Sequence, residues 1–385
     1  MTARRFVACA ALAGLTGLAG LTGLAAPALA GPPSAAAQCV WSVARTPGSG
    51  TLTAVAATSA GNAWAVGSYS TGSGYRTLIE HWNGSKWSVV PSPDPASGGH
   101  TTNTFGGVLA LSASNAWAFG FYEKATTSFR TLVAHWNGSR WSVVPSPNVG
   151  TGENTLGAAA AVSAADIWAV GYHGDPGHRR TLTEHWNGSK WSVASSPSVG
   201  TRDSFLFGAA AAPGGRVWAV GTDPVDFNRT LAMDWTGSAW RVTSTVNPGD
   251  GDRFLQAVAA PSAGRALAVG SYLAGSQTRT LAERWNGTAW SLVPSPSPGA
   301  DYNSLQAVAA AGPDEAWAVG ASRHDPGAHF RTLAEHWNGT SWAKSPIMSP
   351  GRGDDWLFGA TAVPHGGGFW AVGSAGNSPL AEFHC

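Results

Sequence analysis

Apolar and polar positions alternate in short runs along most of this chain, and turn residues interrupt each run before a helical period can develop. In one such run Leu78, Glu80 and Trp82 face one way and Thr77, Ile79 and His81 the other. Shortly afterwards Trp87 and Val89 oppose Ser88 and Val90. Bulky groups on both faces are what a sheet packed between two neighbouring sheets requires. The run at 52–57 is built of small residues instead, as are Ala158 to Ala161 and Ala209 to Ala212. Small side chains suit strands that crowd around a common axis.

Each group of four runs recurs at about 50 residues, the spacing of propeller blades. Gly67, Gly120, Gly171, Gly221, Gly270, Gly320 and Gly373 close the second run of successive groups and count seven. The groups fall at about 52–93, 105–147, 156–197, 206–246, 255–296, 305–348 and 357–385 plus 39–47. The predicted fold is all-β, a seven-bladed β-propeller of four-stranded blades.

Asn-Gly joins the third and fourth runs at 83–84, 137–138, 187–188, 286–287 and 338–339, which predicts a two-residue type I′ hairpin with positive φ at both residues. Thr236-Gly237 replaces it in the fourth group. The same dipeptides form Asn-Gly-Ser/Thr acceptors for N-glycosylation, and Asn228-Arg229-Thr230 adds another; the turn accounts for them without a glycan.

The seventh group stops after three runs, since Leu380 to Cys385 aligns with Leu78 to Asn83. The missing run stands at the other end, where Cys39-Val40-Trp41-Ser42-Val43 aligns with residues 85–89. The predicted ring therefore closes three-plus-one, the N-terminal strand completing the last blade and removing both free edges. Cys385 then occupies the place of Asn83 and Cys39 that of Ser85, within disulfide reach.

Composition locates this scaffold outside the cell. Residues 1–30 read as an export signal: Arg4 and Arg5, an apolar stretch from Phe6 to about Ala26, and cleavage near Ala30-Gly31. Residues 31–38 read as a disordered linker and 39–385 as the propeller. The general secretory and twin-arginine routes both fit the leader. Cys9 leaves with it, so Cys39 and Cys385 are expected to pair in an oxidising compartment. Without Arg4 and Arg5 the chain has 21 basic and 22 acidic residues. Near-neutral charge argues against a nucleic-acid partner, and no later apolar run is long enough to span a bilayer. A secreted monomer with an extracellular glycan or protein as partner, and no cofactor, is the expectation.

The unit from Ala65-Val66-Gly67 to Trp87-Ser88-Val89-Val90-Pro91 resembles the kelch repeat, over essentially residues 38–385. It departs from the kelch double glycine, because Ser68, Phe121, Tyr172, Thr222, Ser271, Ala321 and Ser374 follow the single glycine. His-Trp-Asn-Gly also stands where kelch has a Tyr-Asp pair. The resemblance implies a divergent kelch-like or galactose-oxidase-like propeller, similar to exported bacterial ones. It does not carry over the copper chemistry of galactose oxidases, which needs a cysteine cross-linked to tyrosine. Sialidase boxes are matched only at their tails, Asn286 to Trp290 and Asn338 to Trp342.

In a propeller the short turns gather on one face and the variable loops on the other, and loops on a rigid scaffold carry binding residues. On that variable face Glu153, Asp203, Asp252 and Asp354, with Asp301 nearby, are expected to ring the channel mouth as a cation or polyol site or as caps of free amides. Arg76, Arg130, Arg180, Arg229, Arg279 and Arg331 open third strands, and their recurrence favours a structural duty over an anion clamp. His81, His135, His185 and His336 are repeat positions for the same reason. Two irregular loops, with His173, Asp175 and His178 and with His324, Asp325 and His329, offer weak metal sets around Asp-Pro-Gly turns. No nucleophile-base pair stands out. A non-catalytic binding module is the leading expectation, and a polysaccharide hydrolase or lyase using the mouth acids is the alternative.

Overall fold

A computed structural model describes residues 39–96, 101–123, 128–200, 202–224 and 227–385; the expected leader and linker lie outside the described residues. Seven four-stranded antiparallel sheets result. In blade 1 the inner, second, third and outer strands are Thr51–Ser59, Asn62–Ser70, Tyr75–Trp82 and Trp87–Val89. Blade 7 assembles Asp355–Ala362, Phe369–Ala375 and Ser378–His384 with Trp41–Ala44 from the other end of the chain. Trp41 pairs with His384 just as Trp87 pairs with Trp82, the register the repeat predicts. Cys39 and Cys385 are disulfide-bonded, their Cα atoms 5.2 Å apart across 346 residues of chain.

Tryptophan fills the spaces between blades. Trp141 in the outer strand of blade 2 meets Trp64 of blade 1 edge to face at 5.2 Å, and Trp41 meets Trp317 in the same way at 5.3 Å across the closure. Edge-to-face pairs contribute about 1 kcal/mol beyond the area they bury. Blade 5 has Leu267 at the second-strand position, and Trp337 and Trp342 pack on it. Val89 and its outer-strand counterparts are exposed, so the outermost edges are less covered than the alternating pattern suggests.

The glycine of each second strand is obligatory because of its neighbour. A Cβ on Gly171 would lie far inside contact distance of the Thr155 carbonyl oxygen, and one on Gly221 would strike that of Phe205. Around the axis, adjacent inner strands leave room for little more than alanine: a Cβ on Gly208 would lie 2.8 Å from Ala257 Cα.

The connector after each outer strand is tied back to its own blade. Thr77 N donates to Asp94 Oδ1 (2.8 Å), and the Thr77 and Ser92 hydroxyls are hydrogen-bonded (2.7 Å); Thr131 and Thr230 repeat the pattern with Asn148 and Asn247. Pro379 occupies this threonine position in blade 7 and has no N–H to satisfy. Gly48 accordingly stands in the acceptor's place, while Thr46 Oγ1 still donates to the Pro379 carbonyl (2.8 Å).

The third-to-fourth turn differs from the type I′ hairpin its dipeptide predicts. Only the glycine has positive φ, 93° at Gly84, and Asn83 does not. Asn83 Oδ1 instead accepts from Ser85 N, Ser85 Oγ and Lys86 N, so the side chain replaces its own carbonyl in closing the turn. A further departure is a 3-10 turn at Pro364–Gly366 in blade 7, with His365 at φ 63°.

Candidate functional site

Every inner strand carries a β-bulge at the same level, directly after the leucine or phenylalanine that pairs with the second-strand glycine. The register skips Thr53, Gly106, Gly157, Phe207, Gln256, Gln306 and Phe358, and a bulge re-aims the side chain it skips. All seven line a central channel of about 270 Å³. The remaining wall is mostly Ala, Gly and Val, so this one tier holds the chemical variety. Going round the ring, Phe207 and Phe358 stand three blades apart, with Gln256 and Gln306 between them on one side. Thr53, Gly106 and Gly157 occupy the other side.

Each of these phenylalanines leads out to a cluster at the channel mouth on the variable-loop face. Phe207 is parallel to Phe205 at 5.8 Å, Phe205 meets Tyr172 at 4.9 Å, and the Arg179 guanidinium lies 5.4 Å from the Tyr172 ring. Phe358 is parallel to Trp356 at 5.8 Å, Trp356 packs on Phe330 at 4.5 Å and Phe330 on Tyr302 at 5.2 Å, with Arg323 4.5 Å over Phe330. The two irregular histidine-containing loops supply Arg179 and Phe330. A guanidinium placed over a ring face at these distances is attracted by the ring quadrupole.

None of the five acids expected at the mouth lines the channel wall. Glu153 and Asp203 grip Arg179 from two sides (2.8 and 3.0 Å), and Asp301 holds Arg323 (2.7 Å). Asp252 Oδ1 accepts from Asn228 N (2.9 Å) and Asp354 Oδ1 from Phe330 N (3.0 Å). Burial alone pushes the Asp203 carboxyl up, but the Arg179 and Gly177 amides and the Arg179 guanidinium together hold it below the usual carboxylate range. The Phe330 amide, then His329, do the same for Asp354. These carboxylates position loops and arginines.

The other sequence candidates are likewise engaged. Arg130 donates to the carbonyls of Gly150, Thr151 and Gly152, Arg331 to that of Gly351, and Arg76 pairs with Asp94 (3.3 Å). Arg76, Arg130 and Arg331 thus fasten connectors, as does Arg180 through the Arg202 carbonyl (2.8 Å). His81, His135, His185 and His336 lie on the second-strand tryptophan of their own blades (4.3–4.7 Å) and bond to Asn62, Asn115, Asp166 and Glu315. The Asp-Pro-Gly loops are turns, with His178 N donating to the Asp175 carbonyl and Ala328 N to that of Asp325. His173, Asp175 and His178, and His324, Asp325 and His329, do not converge: among the described residues no three His, Cys, Asp or Glu side chains do.

The most perturbed carboxyls lie elsewhere. Glu80, Glu184, Glu283, Glu335 and Glu382 are fully buried between blades, and desolvation pushes them to about 7, 8, 7, 8 and 8. Glu283 and Glu382 accept amides of the preceding connector, from Val246 and Met348. Perturbed acidity marks a candidate catalyst only inside a cleft, and these side chains line no part of the channel. What sequence reasoning missed is the bulge tier. Its signal is a variable column, Thr, Gly, Gly, Phe, Gln, Gln, Phe, set in otherwise small-residue strands.

No model of a known protein family matches the sequence, and no curated protein matches it. Among solved structures the chain is similar to one described as YCF48 bound to D1 peptide, with a TM-score of 0.56 and 13% identity over 90% of this chain and 95% of that one. At that identity the similarity establishes a shared propeller fold.

Proposed function

We propose that this protein is an exported, non-catalytic binding module that holds a cell-surface glycan, wall component or protein at the channel mouth on its variable-loop face. The observation that carries the reading is the pair of aromatic and arginine clusters that converge, three blades apart, on the bulge tier. Rigid aromatic surface with oriented guanidinium groups is the composition of binding hot spots. A propeller of similar fold is described as bound to a peptide, which supports the same use of this scaffold. The carboxylates that a polysaccharide hydrolase or lyase would need, Asp203, Asp252 and Asp354, are taken up by backbone amides and arginine, which favours binding over turnover. The kelch-like resemblance and export through the leader at residues 1–30 belong to this reading.

Incubation with wall and surface fractions, followed by retention and product assays on the same material, tests it. Retention without released product supports the module. Turnover without retention sinks it. A secreted form beginning at Gly31 supports export, and a cell-associated protein that keeps residues 1–30 counts against it.

A further inference from the structure

We infer that the bulge tier is a subsite for one neutral pyranose unit of a glycan, an inference that rests on the binding reading above and names its ligand. Four features converge on it. The channel, at about 270 Å³, lies at the lower end of ligand-site volumes and has room for a single ring-sized group. Among the described residues no charged side chain lines it. A carboxylate or ammonium entering it would lose water without gaining a counter-charge.

The half-buried rings of Phe207 and Phe358 offer apolar surface from two sides. Gln256 and Gln306 stand between them. Gln306 Nε2 donates to Ser304 Oγ (2.8 Å), and a carboxamide has two N–H donors and two acceptor lone pairs, so capacity remains. A pyranose has the matching division, with an apolar C–H face for an aromatic ring and a hydroxyl rim for carboxamides.

An extended peptide fits this tier less well. Its successive N–H and C=O groups would all need partners, whereas the inner strands pair within their own blades. Thr53 Oγ1 is likewise already bonded to the carbonyls of Val66 and Phe105 (3.0 and 2.8 Å).

The structure also supplies a plug for the test. Gly157 does not have positive φ, and a Cβ built on it meets nothing within 4 Å, so a side chain there projects into open space without straining the backbone. The probes are the methyl pyranosides of glucose, galactose, mannose and N-acetylglucosamine, with glucuronate and a capped neutral peptide alongside. Binding is read by saturation-transfer NMR and calorimetry on the exported protein.

At least one neutral pyranoside is expected to bind, with glucuronate weaker by about tenfold or more. Gly157→Phe and Phe207→Ala should each weaken binding by about tenfold or more, with Gly157→Phe melting as the wild type does. Failure of every neutral pyranoside, undiminished binding by Gly157→Phe, or binding of the peptide in place of the sugars overturns the inference. If Gly157→Phe is still retained on wall fractions, as the wild type is, while no pyranoside binds, the subsite falls and the binding module stands. If a pyranoside binds but no surface fraction retains the wild type, the module falls instead.

Discussion

Glu184 should destabilise the protein it belongs to, and increasingly so as pH rises. Its carboxyl is fully buried, and neither oxygen has a hydrogen-bond partner among the described residues. The cause lies in the preceding connector. Glu283 and Glu382 accept the amides of Val246 and Met348, but the residue at that place in blade 2 is Pro147, which has no N–H. Blades 1 and 6 also follow a proline at this place, Pro47 and Pro296, but there Glu80 accepts from Gly48 N and Glu335 from Ser295 Oγ. Blades 2 and 4, after Pro93 and Pro197, carry Ala134 and Met233 in the glutamate position.

Desolvation raises Glu184 from 4.5 to about 8, so the folded chain keeps its proton where the unfolded chain has lost it. A raised folded value means that this group's contribution is most favourable below about pH 4.5, falls as pH rises towards 8, and is constant above. At pH 7 the loss is on the order of 3 kcal/mol, at about 1.4 kcal/mol per pH unit. Glu184→Met should therefore stabilise by about 3 kcal/mol at pH 7 and by no more than about 1 near pH 4.5, where only a neutral unpaired carboxyl is removed.

Urea unfolding followed by tryptophan fluorescence, repeated from pH 4.5 to 8.5, measures both values. Pro147→Val should relieve part of the same cost by restoring an amide donor. Glu283→Met, which strands the Val246 amide, should gain less than Glu184→Met. A variant less stable than wild type at pH 7, or a difference that does not grow between pH 5 and 8, would refute the reasoning.

Three further outcomes follow from particular contacts. Asp355→Asn should stabilise by about 1 kcal/mol in thermal melts at pH 7, because Asp355 Oδ1 is buried with no hydrogen-bond partner among the described residues. Asn103, Asn154 and Asn303 at the same repeat position donate their Nδ2 to connector carbonyls; a lower melting temperature contradicts this. Gly221→Ala should cost about 3 kcal/mol or more, since its Cβ strikes the Phe205 carbonyl oxygen, and a variant within 1 °C of wild type argues against it. Reducing Cys39–Cys385 should lower stability by up to about 5 kcal/mol in the chain-entropy account, read as a drop in melting temperature with reductant. Cys39→Ser, in turn, should melt identically with and without it.

Much of the scaffold is legible in residue order. The seven glycines count the blades, and the alignment of residues 39–43 with 85–89 places the N-terminal strand in register with His384 and Cys39 opposite Cys385. Both are statements about one unit repeated, and a repeat contacts its neighbours in the same way each time. The Asn-Gly turn was half legible. Its position is as expected, but a dipeptide preference does not reveal that Asn83 Oδ1 gathers three donors.

The candidate site was less legible. Glu153, Asp203 and Asp301 suggest a ring of free carboxylates until the chain brings Arg179 and Arg323 against them from other loops. The two phenylalanines and two glutamines of the channel lie in four different repeats, each one residue in an alanine-rich strand. Sequence by itself determined the number of blades, their four strands and the closure, because periodicity and hairpin register are local and recur. Only the tertiary structure decided which polar groups find partners and which side chains share the axis. Both depend on contacts between segments tens to hundreds of residues apart, and no local pattern encodes them.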